Sequence, residues 1–239
     1  MGEETRIRRL AARSYRIPTD APEADGTIAW SATTLVLVEV DAGGVTGVGY
    51  SYGSAATAEI VNNELASTLR ERNALAISAL WLAMVTAVRN IGWRGVCACA
   101  ISAVDVALWD LKARLLKMPL ADLLGRERGE VLIYGSGGFT SYSEGRLCEQ
   151  LSDWVERDGC RFIKMKVGTA PEHDLARVRA AKAAVGSAEL YDDANGAYRR
   201  KQALEFARQF ASLGVTWFEE PVSSDDLEGL RLLRSTSRK

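Results

Sequence analysis

Phe162-Ile163-Lys164-Met165-Lys166-Val167, Glu189-Leu190-Tyr191-Asp192-Asp193 and Thr216-Trp217-Phe218-Glu219 are short runs built on apolar residues, and each leads into a stretch of helical period. Val131–Gly135 reads the same way ahead of them. The four units start near Val131, Arg161, Ala188 and Val215, a step of about 27 to 30 residues, with helices expected over 142–158, 171–185, 199–213 and 225–234. Four strand–helix units in succession predict a parallel sheet, because strands running the same way need a helical crossover. The sheet is either open and doubly wound or part of a barrel. Gly135-Ser136-Gly137-Gly138-Phe139 does not supply the GxGxxG of a dinucleotide-binding first turn, which favours a barrel.

The chain before these units has another character. Ile7–Ile17, Ala32–Asp41 and Gly47–Tyr52 alternate as strands, with Gly43-Gly44 as a hairpin turn. From there to Leu124 the apolar spacing lengthens, predicting helices over 57–72, 74–90 and 97–116. The fold class read here is an α+β capping domain over residues 1–126, followed by an incomplete α/β (β/α) barrel over residues 127–239. The polar stretch from Pro18 to Trp30 lacks periodicity and fits either a mobile lid or a plain surface loop. Trp30, Tyr50 and Tyr52 fit either an aromatic pocket wall or packing between strands.

Composition narrows the function. Thirty Lys+Arg stand against 31 Asp+Glu, with one histidine and no basic run, so nothing favours nucleic acid or a membrane surface as partner. The longest apolar run, near Leu80–Val88, is far short of a bilayer span, and the N-terminus is charged from Glu3 onward without a signal core. The expected location is the cytoplasm. Cys97, Cys99, Cys148 and Cys160 have neither metal-site spacing nor disulfide-scaffold density, and read as reduced structural residues.

Strands of a parallel barrel concentrate polar chemistry at their C-terminal ends. Period-two alternation puts Lys164 and Lys166 on one face, with Ile163 and Met165 toward the helices. Two cations in one mouth need anions beside them, and Asp193 and Glu219 end the next two strands. These carboxylates are the candidate ligands of a hard cation such as Mg²⁺. Lys166 would then remove the proton beside a substrate carboxylate or carbonyl while the metal stabilises the enediolate, with Lys164 depressing the Lys166 pKa and binding the carboxylate. An ion-pair network plugging the barrel is the competing structural account.

These residues carry a resemblance. Lys164-Met165-Lys166, Asp193-Ala194-Asn195 and Trp217-Phe218-Glu219-Glu220-Pro221, together with the helix Ala100–Arg114 running on to Pro119-Leu120 and Leu123-Leu124-Gly125, resemble the mandelate racemase/muconate lactonizing enzyme branch of the enolase superfamily. The resemblance implies cap loops 18–30 and 50–55 closing over a Mg²⁺-containing barrel that acts on small carboxylates as a racemase or epimerase, cycloisomerase or sugar-acid dehydratase. By this likeness Asp193 and Glu219 match the first two metal ligands, Lys166 the acid/base lysine, Lys164 its partner at the substrate carboxylate, and Asn195 a polar contact at the substrate or metal. Glu220 and Asp192 fall out of phase and read as supporting or structural.

A complete barrel takes about 250 residues. The stretch from Val131 supplies four units of eight, so the chain reads as C-terminally truncated, without the third metal carboxylate and the base facing Lys166. His173 reads as a surface residue. Unpaired barrel edges predict a homo-oligomer or association through those edges. Two other accounts stand beside the enolising enzyme: an inactive remnant or assembly module, and a Schiff-base barrel with Lys166 as nucleophile.

Overall fold

The computed structural model describes residues 5–236, which form two compact units: residues up to 18 with 32–129, and residues 19–31 with 130 onward. No helix among the described residues is long and apolar enough to cross a membrane.

β1 (Arg9–Ala24), β2 (Ala29–Ala42) and β3 (Val45–Tyr52) form a sheet in the order β1-β2-β3, which belongs to the first unit except for residues 19–31 at its hairpin tip. β2 and β3 pair antiparallel from Leu35↔Tyr52 to Ala42↔Val45. Gly43 and Gly44 both take positive φ, 59° and 76°, as a tight two-residue hairpin requires. Alternation buries Val36, Val38, Val40 and Ala42 on one face. Helices α1 (Ala55–Ile60), α2 (Ala66–Leu69), α3 (Ile77–Ala87), α4 (Val96–Leu115) and α5 (Leu120–Leu123) follow. The helix expected over 57–72 is interrupted by a π-helical turn, Val61–Leu65. Within it the Asn62 amide accepts from Ala12 N at 2.8 Å and donates to Ala12 O at 3.0 Å, completing the hydrogen bonds of edge strand β1.

The motif helix α4 lies directly on β3. A Cβ at Gly49 would stand 2.1 Å from Ala103 O, and one at Gly47 2.3 Å from Ala107 O, so only glycine admits the helix backbone this closely. The small residues Ala100, Ala103 and Ala107 make the matching face. Asp110 Oδ2 accepts from Val48 N at 2.8 Å and pins the contact.

The second unit runs β4 (Gly135–Ser136), α6 (Glu144–Glu156), β5 (Phe162–Lys166), α7 (Pro171–Val185), β6 (Glu189–Asp193), α8 (Arg200–Ser212), β7 (Val215–Glu219) and α9 (Leu227–Thr236). The sheet order is β4-β5-β6-β7 and each pairing is parallel. Ile163, Met165 and Leu190 point at the helices, where Leu147, Leu151, Val178, Ala181, Ala203 and Phe210 complete a dry core. Ser143 Oγ caps α6 by accepting from Arg146 N, and Pro171 occupies the first turn of α7, where its missing N–H costs nothing.

Two expectations are corrected. Residues 131–134, expected as most of the first strand, are not in the ladder; only Gly135 and Ser136 pair with β5. Val131, Leu132 and Ile133 stay about two-thirds or more exposed, because among the described residues no strand lies on their far side. The stretch 18–30 is ordered as the tip of the β1–β2 hairpin, turning at Asp25–Ile28, where Asp25 Oδ1 accepts from Thr27 N and Ile28 N. Pro18 and Pro22 hid it, yet both sit on an edge strand, which tolerates a missing donor. Within the second unit the tip is docked: Thr140 Oγ1 donates to Ala24 O and Asp25 O, Ser141 Oγ to Pro22 O, and Thr169 Oγ1 to Asp25 O.

Candidate active site

Register brings the strand-end residues together. Lys166 pairs with Asp193, and Asp193 with Glu219, across three adjacent parallel strands. Lys164 Nζ lies 2.9 Å from Glu219 Oε2 and 3.2 Å from Asp193 Oδ2. Lys166 Nζ lies 2.6 Å from the same Asp193 oxygen and donates to Asn195 Oδ1 at 2.8 Å. Lys164 and Asp193 are buried, at 7% and 2% exposure. Burial acts to lower the Lys164 pKa, but its hydrogen bonds and charge contacts to Glu219 and Asp193 outweigh that and raise it. Lys164 is therefore an ammonium.

The loops just past the strands carry backbone strain. Asn195 and Glu220 take positive φ, 47° and 41°, a region non-glycine residues rarely enter. Asn195 makes three hydrogen bonds: its backbone N–H donates to Asp193 Oδ1 at 3.0 Å, its side-chain Oδ1 accepts from Lys166 Nζ, and its Nδ2 donates to Glu220 Oε2 at 3.3 Å. Main-chain bonds from Ala194 N to Glu219 O and from Gly196 N to Glu220 O join the same loops. Glu220 thus touches Asn195 and not the lysines among its hydrogen-bond partners; it lies one residue past β7, where strand alternation no longer sets its direction. His173 is exposed in the first turn of α7, outside this cluster.

The sequence reading did not single out the concave face below the cluster. Tyr134, Glu189, Tyr191, Thr216, Trp217 and Glu219 line an open concavity of about 360 Å³. The Tyr134 ring stands 5.3 Å from Lys164 Nζ, and Tyr191 packs edge-on to Tyr134 and stacked on Phe162. Period-two counting back from Asp193 and Glu219 to Tyr191 and Trp217 was the signal available.

On the opposite, helix-facing side, Asp192 is fully buried and neither carboxyl oxygen has a hydrogen-bond partner. Burial first, and the nearby Asp174 second, push its pKa well above the ordinary carboxylate range.

The donor chemistry suits a hard divalent cation. Asp193 and Glu219 offer oxygens, and a lysine ammonium already stands between them as a monovalent stand-in. Among the described residues no group of three or more His, Cys, Asp or Glu gathers to hold a metal, so Asp193 and Glu219 are the oxygen donors this cluster offers.

A capping unit with this glycine-lined helix contact, followed by parallel strands ending in lysines and then carboxylates, defines the class. The mandelate racemase / muconate lactonizing enzyme N-terminal domain model matches residues 12–125, and the enolase C-terminal domain-like model matches residues 146–239. The chain belongs to the mandelate racemase/muconate lactonizing enzyme family of the enolase superfamily.

A mandelate racemase/muconate lactonizing enzyme-like protein from Rubrobacter xylanophilus superposes with a TM-score of 0.94 at 54% identity, covering 96% of this chain and 64% of that one. A racemase from Streptomyces coelicolor, solved with magnesium bound, superposes at 0.92 with 35% identity, covering 97% and 67%. A 3,6-anhydro-alpha-L-galactonate cycloisomerase from Streptomyces coelicolor is 36% identical over 239 residues, covering 96% of this chain and 66% of that protein. The chain spans 54%, 58% and 66% of the length of three curated relatives it matches, and less of others. Those relatives include dehydratases, cycloisomerases and epimerases.

Proposed function

We propose that the strand-end cluster is one wall of an acid–base site that removes the proton α to a carboxylate. That is the step shared by racemisation or epimerisation, cycloisomerisation and sugar-acid dehydration. Asp193 and Glu219 are the residues that would hold Mg²⁺, and the substrate is a small carboxylate. One observation carries the reading: a single buried ammonium is held between two carboxylates on neighbouring strands, with a second lysine at the strand end. A cation bound there offsets negative charge developing on the substrate carboxylate.

Lys166 is the proton acceptor. It accepts only as a free amine, so its ion pair with Asp193 opens before it acts, and Asn195 Oδ1 keeps the nitrogen aimed when it does. Lys164 donates to the substrate carboxylate. The outer strands β4 and β7 are the surfaces through which this chain associates, a second copy being the simplest partner.

Calorimetric titration of the 239-residue chain with Mg²⁺ tests the site. Saturable binding that disappears in both Asp193→Asn and Glu219→Gln is expected, and a folded chain without binding overturns the metal assignment. Solvent deuterium entering the α-carbon of sugar acids in D₂O is the expected mark of turnover. Borohydride trapping of Lys166 with a carbonyl substrate would instead establish the Schiff-base enzyme.

A further inference from the structure

Behind the strand ends sits a carboxylate that the proposed chemistry does not use. Asp174, in the first turn of α7, is 1% exposed. Its Oδ2 accepts two hydrogen bonds: from Tyr198 OH at 2.5 Å and from Gly168 N at 3.0 Å. Tyr198 is itself buried, its ring packed on Phe206. Gly168 is two residues past Lys166 and Tyr198 three past Asn195, so one oxygen ties the loop after β5 to the loop after β6.

The two loops have no slack where they meet. Gly168 takes φ +112°, and a Cβ there would stand 2.6 Å from the Ala197 Cβ. Val167 N donates to Asp193 O across the same seam, and Tyr198 N donates to Pro221 O, extending the tie to the loop after β7. Beyond Gly168, Thr169 Oγ1 donates to Asp25 O and to Thr140 Oγ1, which seats the hairpin tip. Burying a carboxylate is costly unless its hydrogen bonds are well made, and apolar contact alone would have closed these loops more cheaply. What a doubly bonded carboxylate adds is direction. Asn195 needs it, because a residue at positive φ persists only where its surroundings over-determine it.

We propose that Asp174 is a positioning residue: through Gly168 and Tyr198 it locks the loops after β5 and β6 together and so holds Lys166 against Asn195. The inference rests on the reading of Lys166 and Asn195 as site residues, but its test does not need metal or turnover.

The test compares the 239-residue chain with Tyr198→Phe, which removes only the hydroxyl donor, and with Asp174→Asn, which keeps an acceptor oxygen and removes the charge. Two readouts are taken without metal: amide hydrogen exchange by peptide, and the acetylation rate of Lys166 relative to the exposed Lys201. Loss of a hydrogen bond to the buried Asp174 carboxyl should speed exchange at Gly168 and 194–198 about 10- to 100-fold. Peptides from the core of α6 and β5 should not change, Lys166 labelling should rise several-fold, and Asp174→Asn should fall between the other two proteins. Exchange that rises uniformly, or unchanged labelling of Lys166 beside faster local exchange, overturns the proposal and leaves Asp174 a fold residue only. Mg²⁺ titration of the same proteins separates the two ideas: absent binding by the parent chain fails the metal assignment, while exchange and labelling still decide the latch.

Discussion

Replacing Asp192 by valine should stabilise the protein, and by more as the pH rises. The side chain is fully buried on the helix-facing side of β6, neither oxygen has a partner, and Asp174 adds a second acid nearby. A buried polar group left without a hydrogen bond costs about 1–3 kcal/mol. Valine has similar volume, suits a strand and has nothing to desolvate. Taking about 2 kcal/mol for the gain, and about 2–4 °C per kcal/mol for a chain of this size, the melting temperature should rise by about 4–8 °C.

The pH dependence has a definite sign. The folded-state pKa of Asp192 is raised, by burial and then by Asp174, above the unfolded value of about 3.9. The native state therefore holds this proton more tightly, a contribution fully present below about pH 3.9 and lost as the pH climbs through the folded value. The variant lacks the group, so its advantage over the parent should be smallest near pH 4 and largest at pH 8. Urea denaturation of both proteins at pH 4, 6 and 8 measures the gap directly, other titrating groups cancelling in the difference. A variant less stable than the parent at pH 8, or a gap that does not move with pH, would refute the reasoning and mean that the Asp192 carboxylate has a partner.

Other substitutions probe separate contacts. Gly26→Ala puts a methyl 2.2 Å from Ala194 O and 2.7 Å from Val167 O, and should undock the hairpin tip, seen as proteolytic cleavage within 19–31 that the parent resists. Gly49→Ala meets the α4 backbone at 2.1 Å and should cost about 1–3 kcal/mol or more in chemical denaturation of the capping unit. Asp193→Asn leaves Lys164 and Lys166 short of their shared counter-charge and should destabilise by about 3–5 kcal/mol, also read by denaturation. The raised pKa of Lys164 means that its contribution is whole below the unfolded value of about 10.4 and fades as the pH passes the folded one. The stability gap between parent and Lys164→Met should therefore shrink in strongly alkaline solution.

The four-residue cluster was legible because alternation in a parallel strand is strict: Lys164 and Lys166 had to share a face, and Asp193 and Glu219 had to follow at the next strand ends. The helix 100–114 was legible only through its resemblance to a family signature; the reason for its small residues is structural, because Gly47 and Gly49 bring β3 against it. What escaped is what alternation does not encode. The hairpin tip breaks the pattern with two prolines and is fixed by the hydroxyls of Thr140, Ser141 and Thr169, distant in sequence and unremarkable singly. Residues 131–134 have strand composition, but pairing belongs to the neighbour as much as to the strand, and composition says nothing of the neighbour. Asp174 and Tyr198, 24 positions apart, meet only because two loops close over the same helix start.

The lysines give the cluster an order of events. Lys164 and Lys166 cancel Asp193 and Glu219, so the four together project almost no field into the solvent, and an approaching anion meets no attraction from afar. A divalent ion joining this neutral set would leave it with a positive surplus. The mouth would begin to draw carboxylates only then, so that electrostatics alone favours the cation arriving first and the organic acid second.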